Sequence, residues 1–166
     1  MYYTINKTVF LILSILATTL VFATGTDVLK YDTGDGYYFE YENYLDGVRV
    51  TKCVADGNTK VTIPKEIEGK RVLALGGDFL GDHITTLKIE AEIEEIPDYF
   101  VNFHDKLLRV ILPEGIKRLG EDAFSYCPDL KYINLPESLE EIAAGCFDDC
   151  PKLKQIKIPD NVDKIG

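Results

Sequence analysis

One interval, of about 23 residues, recurs along this chain and constrains its fold more than any other feature of the sequence. Three prolines follow one another at this repeat interval, and columns of apolar residues keep it too. The prolines are Pro113, Pro136 and Pro159, and one apolar column is Leu107, Leu130 and Leu153. A period of this length is typical of a solenoid, in which each repeat relies on the next to cover its apolar face. We therefore expect repeats that stack in register, with the prolines in a row.

Each repeat predicts a short strand followed by a turn. Ile133 and Leu135 flank Asn134 in the alternating pattern of a strand. The strand ends at Pro136, which has no N–H to donate to a neighbouring strand. Residues 143–150 then predict a helical turn that carries apolar side chains inward.

These residues resemble the BspA-like leucine-rich repeats, a family of bacterial and protozoan surface proteins. The family pattern runs roughly Leu-x-x-Ile-x-Ile-Pro, then x-x-Val-x-x-Ile-Gly, then x-x-Ala-Phe-x-x-Cys, and residues 110–135 and 133–158 match it well. The unit at 87–112 departs from it, since Val101 stands in the phenylalanine slot and His104 in the cysteine slot. The resemblance implies a leucine-rich-repeat solenoid, β-rich with short helical turns, and a role in adhesion or host attachment.

Residues 1–23 are typical of a signal peptide. Lys7 precedes an apolar run at 9–23, which is shorter than the roughly 20 residues that cross a bilayer. Val21-Phe22-Ala23 predicts cleavage after Ala23, and Ala23-Thr24-Gly25 is a second candidate site. The alternatives are an uncleaved membrane anchor and a cytosolic apolar helix. Cleavage would make the protein secreted or cell-surface, with no membrane insertion afterwards.

Residues 24–60 predict an N-terminal β-hairpin cap. Strand formers at 37–41 and 48–54 flank Leu45-Asp46-Gly47, and Asp-Gly between two such runs favours a hairpin. A second turn at 55–58 leads into the first repeat. Such a cap would shield the first apolar layer of the solenoid from water.

The repeats are expected over residues 61–166, in about four units. The first unit is irregular, because Ile63 stands farther from its equivalent, Ile89, than one repeat interval. The last is incomplete, because the chain stops at Ile165-Gly166, where the pattern requires another turn. We expect either a fragment of a longer protein or a last layer that a partner or a second copy covers, which would be self-association through an uncapped C-terminal end.

The four cysteines leave two alternatives open. Cys127 and Cys150 occupy the same slot in successive repeats, where Cα atoms lie about 5 Å apart, within the reach of a disulfide. Cys146 with Cys150 is another pairing, and Cys53 is the fourth thiol. The plainer interpretation is that these cysteines are small buried residues with free thiols.

Charge and motifs argue against several classes of function. The formal charge of −10 becomes −11 when the leader removes Lys7, and an acidic protein disfavours binding to nucleic acid or anionic lipid. Neither histidine, His83 or His104, lies in a hydrolase or metalloprotease motif. Residues 32–36 lack the alternating acids and later glutamate of an EF-hand loop. We predict no enzyme, no catalytic residues, no metal site and no cofactor.

Binding would have to be built on the outward positions of the strands. Side chains alternate along a strand, so inward Leu130, Ile133 and Leu135 direct Tyr132 and Asn134 outward. The repeat interval then gives two outward rows with basic, aromatic and amide groups. They are Thr86, Arg109, Tyr132 and Gln155, and Lys88, Ile111, Asn134 and Lys157.

Two functions fit these observations. The first is a secreted or cell-surface module for protein interaction or adhesion, whose repeat face binds an extracellular protein or glycan. The second is a non-catalytic targeting or assembly region of a larger secreted protein, such as a glycan-active one. Repeats of this kind do not by themselves specify a partner.

Overall fold

The computed structural model describes residues 28–55, 57, 59–81 and 83–166. The predicted signal peptide lies outside the described residues, as do two residues of the predicted turn at 55–58. The strands are β1 (Leu29–Asp32), β2 (Tyr37–Tyr44), β3 (Gly47–Ala55), β4 (Lys60–Ile63), β5 (Glu66–Ile67), β6 (Lys70–Leu75), β7 (Thr86–Ile89), β8 (Glu95–Ile96), β9 (Arg109–Ile111), β10 (Arg118–Leu119), β11 (Tyr132–Ile133), β12 (Glu141–Ile142) and β13 (Lys164–Ile165).

Two parallel sheets stack the repeats in register. One has the order β11-β9-β7-β4 and the other the order β13-β12-β10-β8. Thr86 pairs with Arg109, and Arg109 pairs with Tyr132, which reproduces the repeat interval of the sequence. The first repeat is longer than the others, as the sequence predicts, because β4 and β7 pair Ile63 with Ile89. The β-rich solenoid expected from the period is confirmed.

The segments after the strands are turns, and the prediction of short helical turns is wrong. No helix forms in the described residues, and none there could therefore span a membrane. Alternate N–H groups of the turn bond to the next repeat and not to a carbonyl four positions earlier: the Phe124 N–H donates to the Cys146 carbonyl over 3.0 Å. Positive φ angles at Asp122 (50°) and Tyr126 (53°) also interrupt a helical backbone.

A column of phenylalanine rings runs through the core. Its rings are Phe39, Phe79, Phe100, Phe124 and Phe147, with successive centroids 6.2, 5.1, 6.2 and 5.9 Å apart. In the repeat that contains Phe100, the position equivalent to Phe124 is Val101. The Val101 N–H bonds to the Ala123 carbonyl just as the Phe124 N–H bonds to the Cys146 carbonyl of the next repeat. Phe100, one residue earlier, fills the column instead. The missing phenylalanine of this repeat is thus replaced from the neighbouring position.

The predicted N-terminal hairpin is present. β2 and β3 pair antiparallel as far as Tyr44 and Gly47, which leaves Leu45 and Asp46 as a two-residue turn. β1 extends the hairpin on one side, and β6 pairs in parallel with β3 on the other. Phe39 of β2 packs on the first repeat, so the hairpin shares the core of the solenoid.

Candidate interaction surface

The two outward rows lie on the sheet formed by β4, β7, β9 and β11. Leu130, Ile133 and their equivalents Leu107 and Val110 are buried, whereas Arg109 and Tyr132 are exposed. Thr86 is half-buried at the same register position on β7. The alternation along each strand therefore directs the first row to solvent. We call this surface, with the residues of both rows, the strand face.

Arg109 and Tyr132 form a contacting pair on the strand face, at the edge of the sheet that β11 forms. The Arg109 guanidinium carbon lies 4.5 Å from the centre of the Tyr132 ring, within the distance of a cation–π interaction. The pairing of β9 with β11 places the two residues directly opposite each other. Tyr132 keeps 44% of its surface exposed. An arginine and a tyrosine held together in solvent offer a partner a cation, a planar ring and hydrogen-bond donors in one place.

The second row is partly occupied by contacts within the chain. The Asn134 side chain donates to the Leu112 carbonyl over 2.9 Å and accepts the Leu112 N–H over 2.8 Å. Its amide therefore joins two successive repeats. Lys88 pairs with Glu90 two residues on, and Ile111 is half-buried. This row contributes less free polar surface than the first.

The last members of the two rows are placed differently from the others. Gln155 and Lys157 are exposed, but no strand forms over residues 151–163. Lys157 lies 3.3 Å from Glu137. The paired part of the strand face thus ends at β11.

The structure adds Lys60 and Thr62 to the strand face. Lys60 pairs with Thr86 and Thr62 pairs with Lys88, so each row gains a position on β4. Neither residue could be found from the regular repeat interval, because the first repeat is longer than the others. The wider separation of Ile63 from Ile89 was the signal that could have found them.

All four cysteines are free thiols. Burial raises the pKa of Cys53 to about 12, and it has the same effect on the Cys146 thiol, whose pKa is also about 12. A hydrogen bond between the thiols of Cys127 and Cys150 raises the pKa of Cys127, with burial adding to it, and lowers that of Cys150. The two thiols also reach the backbone of the preceding repeat, at Val101 and Phe124.

The histidines do not form a site with these cysteines. His104 is buried in the cysteine slot of its repeat, and His83 is exposed. Across the described residues, no group of three or more His, Cys, Asp or Glu side chains could hold a metal ion.

Comparison with known proteins identifies the repeats. A family model described as the BspA type leucine rich repeat region matches residues 77–166 in six copies. This is more than half of the chain. The chain belongs to the BspA-type leucine-rich repeat family. The resemblance inferred from the sequence is confirmed. A comparison with curated proteins gives no significant match.

Solved structures share the fold. A leucine-rich repeat protein from Bacteroides ovatus is 26% identical, with a TM-score of 0.65, over 77% of this chain and 36% of that one. A leucine rich cell surface protein from Faecalibacterium prausnitzii is 21% identical, with a TM-score of 0.55, over 81% and 44%. The pneumococcal vaccine antigen PcpA is 16% identical, with a TM-score of 0.61, over 82% and 39%. The chain thus spans less than half the length of each of these proteins.

Proposed function

We propose that this protein is a secreted or cell-surface interaction module that binds an extracellular protein through its strand face. The observation that carries the proposal is the exposed Arg109–Tyr132 pair on the last two strands of a regular parallel sheet. Arginine and tyrosine are among the residues that contribute most to binding energy at protein interfaces. Family membership supports a repeat scaffold suited to this task.

Charge favours an acidic contact on the partner. The chain as a whole carries −10, yet the first row of the strand face has Arg109 beside Tyr132 at one edge of the sheet and Lys60 on β4 at the other. A row with basic and aromatic side chains attracts carboxylates of a partner locally. The negative charge of the whole protein repels acidic proteins that do not fit this row. The location outside the cell is supported by the predicted signal peptide and by the Faecalibacterium relative, which is described as a cell surface protein.

Binding to a panel of purified extracellular matrix glycoproteins tests the proposal, with biolayer interferometry as the measurement. The double variant Arg109→Ala/Tyr132→Ala should lose at least about tenfold in affinity for any ligand found, because it removes two anchors at once. The matched control is Lys30→Ala/Tyr38→Ala. That pair makes the same kind of contact, 4.8 Å from the lysine Nζ to the ring centre, between β1 and β2 and away from the strand face. Equal losses in the two variants, or none in either, would refute the strand face as the site.

A second function is favoured by the fraction of each related structure's length that this chain covers. Because it covers 36–44% of the three structures above, we propose as the alternative that it is a non-catalytic targeting or assembly region of a larger secreted protein. Attachment of the isolated chain to matrix proteins or cells distinguishes the two. A module that is sufficient for attachment supports the first function, and a chain that attaches only as part of a longer protein supports the second.

A further inference from the structure

A groove of about 600 Å³ lies between the N-terminal hairpin and the solenoid, away from the strand face. Its walls are the hairpin tip at residues 44–46, the end of β6 at 73–75, and residues 92–95 leading into β8. Lys117 and Arg118 close one end. We call it the edge groove. Its volume lies within the range of about 300–1,000 Å³ that specific ligand sites occupy.

The edge groove lies where the row of backbone hydrogen bonds between successive repeats ends, at Pro97. In three later repeats, the residue at the equivalent position donates its N–H to the preceding repeat and so closes the sheet. These bonds run from Gly120 to Ile96 (2.9 Å), from Ala143 to Leu119 (3.0 Å) and from Gly166 to Ile142 (3.0 Å). Pro97 has no N–H to donate. β8 is consequently the last strand of its sheet on this side.

The opposite wall of the edge groove is also an open strand edge. β6 pairs with β3 on one side, and on the other β5 pairs with Lys70 and Arg71 and the Lys65 carbonyl accepts the Val72 N–H, which leaves the end of β6 uncovered. The Gly76 N–H points to the Val50 carbonyl, 2.8 Å away. Backbone groups alternate sides along a strand, so those of Leu75 face away from β3, toward the edge groove. The open edges of β6 and β8 thus lie on opposite sides of the edge groove, and each has backbone groups available for hydrogen bonding.

Side chains around the edge groove are apolar at the floor and charged at the rim. Ile93 and Leu75 form part of the floor, and Leu45 at the hairpin tip is 84% exposed. Three carboxylates at the rim already have ion-pair partners: Asp46 pairs with Arg71 (3.2 Å), Glu92 with Lys65 (2.8 Å) and Glu94 with Lys117 (3.2 Å). Within the described residues, Glu95 has no lysine or arginine at ion-pair distance.

We propose that the edge groove binds an extended segment of a partner protein, which adds a strand beside β8. Strand addition at an open edge uses main-chain hydrogen bonds for affinity and alternate side chains for specificity. The Glu95 carboxylate, which has no ion-pair partner among the described residues, and the apolar floor select a segment in which basic side chains alternate with apolar ones. This surface is separate from the strand face and would let one module hold two partners.

The peptide Lys-Val-Lys-Val-Lys-Val-Lys is the probe that tests this inference. It should bind the protein with a Kd below about 1 mM by NMR titration, since main-chain bonds, burial of the valines on the apolar floor and attraction to Glu95 act together. Amide exchange should slow at Leu75 and Glu95, because a bound strand would pair with their N–H groups. The acidic counterpart, Glu-Val-Glu-Val-Glu-Val-Glu, should not bind. Failure of the basic peptide to bind would overturn the inference.

Two charge variants separate the edge groove from general electrostatic attraction. Glu95→Lys should weaken binding of the basic peptide by at least about fivefold. Glu114→Lys changes the net charge equally at an exposed position outside the groove, and should leave the affinity unchanged within a factor of about two. Both are exposed, so neither substitution disturbs the core. Equal weakening by both variants, or peptide-induced shifts confined to the strand face, would contradict the site.

Leu45→Asp provides a further check that does not depend on the charge of β8. Leu45 lies at the rim and has a positive φ of 53°, which aspartate tolerates well, so folding should be preserved. Replacing this exposed apolar side chain should weaken binding of the basic peptide. Ile165→Asp, also at an exposed apolar residue (62%), should leave the affinity unchanged. The same affinity for both variants and for the natural sequence would show that Leu45 does not contact the peptide.

Discussion

The Arg109 guanidinium carbon lies 4.5 Å from the centre of the Tyr132 ring, and the two residues pair directly across β9 and β11. Both side chains remain exposed. Each restrains the other in the free protein, so less side-chain entropy is lost when a partner binds there. This relationship makes the strand face a preorganised surface and not only a solvated sheet.

A double-mutant cycle measures the Arg109–Tyr132 contact. Urea unfolding of Arg109→Ala, Tyr132→Ala and the double variant should give a coupling free energy of about 0.5–1 kcal/mol, as for exposed cation–π pairs. Tyr132→Phe keeps the ring and should retain most of this coupling. A coupling indistinguishable from zero would mean that the two side chains do not interact in solution.

Phe100→Ala and Phe103→Ala compare two phenylalanines of one turn. Phe100 is fully buried in the ring column, so its truncation should lower the free energy of unfolding by about 3–5 kcal/mol. Phe103 is 70% exposed and only stacks on Tyr126, with centroids 4.5 Å apart, so its truncation should cost about 1 kcal/mol or less. Chemical denaturation checks both. Similar losses for the two would show that the column does not organise the core.

Asn134→Ala should destabilise the joint between two repeats. It leaves the N–H and the carbonyl of buried Leu112 without their side-chain partner, at a cost of about 1–3 kcal/mol. Gln155→Ala removes an exposed amide from the other row and should change stability by less than about 0.5 kcal/mol. The measurement is the unfolding midpoint in urea at constant m-value. If Asn134→Ala is as neutral as its control, the amide is not structural.

Alkylation of the folded protein should distinguish the thiols. The thiolate is the reactive form, and the pKa of Cys150 is lowered while burial and hydrogen bonding raise that of the other three. As pH rises, Cys150 should therefore react with iodoacetamide first, and peptide mapping by mass spectrometry should show this order. Resistance of both Cys127 and Cys150 until a reductant is added would contradict the free thiols and indicate a disulfide.

The periodicity of the sequence predicts most of the solenoid, because burial requires the same residue type at each step. Leu130 and Ile133 are buried and Tyr132 is exposed, as strand alternation requires. The turns were harder to predict. Short apolar segments between strands fit a helical turn or an extended turn equally well, and backbone bonds between repeats, such as that from Phe124 to Cys146, decide between them.

Positions that depend on an exception to the repeat could not be predicted from the period. Phe100 fills the column in place of Val101, because adjacent side chains can exchange volume in a packed layer. Asn134 was expected to be a free outward amide, and only the coordinates show that Leu112 uses it. The edge groove likewise depends on which strand β6 pairs with, which no local pattern specifies.

Site-specific photocrosslinking tests the central claim, that the strand face is the recognition surface, most directly. A photoreactive phenylalanine analogue replaces Tyr132 in one variant and Tyr126 in another, both of which are 44% exposed, and each is presented to a matrix glycoprotein that binds the natural chain. The account predicts a covalent adduct from position 132 and none from position 126. Adduct formation from position 126 alone, with the analogue at 132 unreacted, would contradict it.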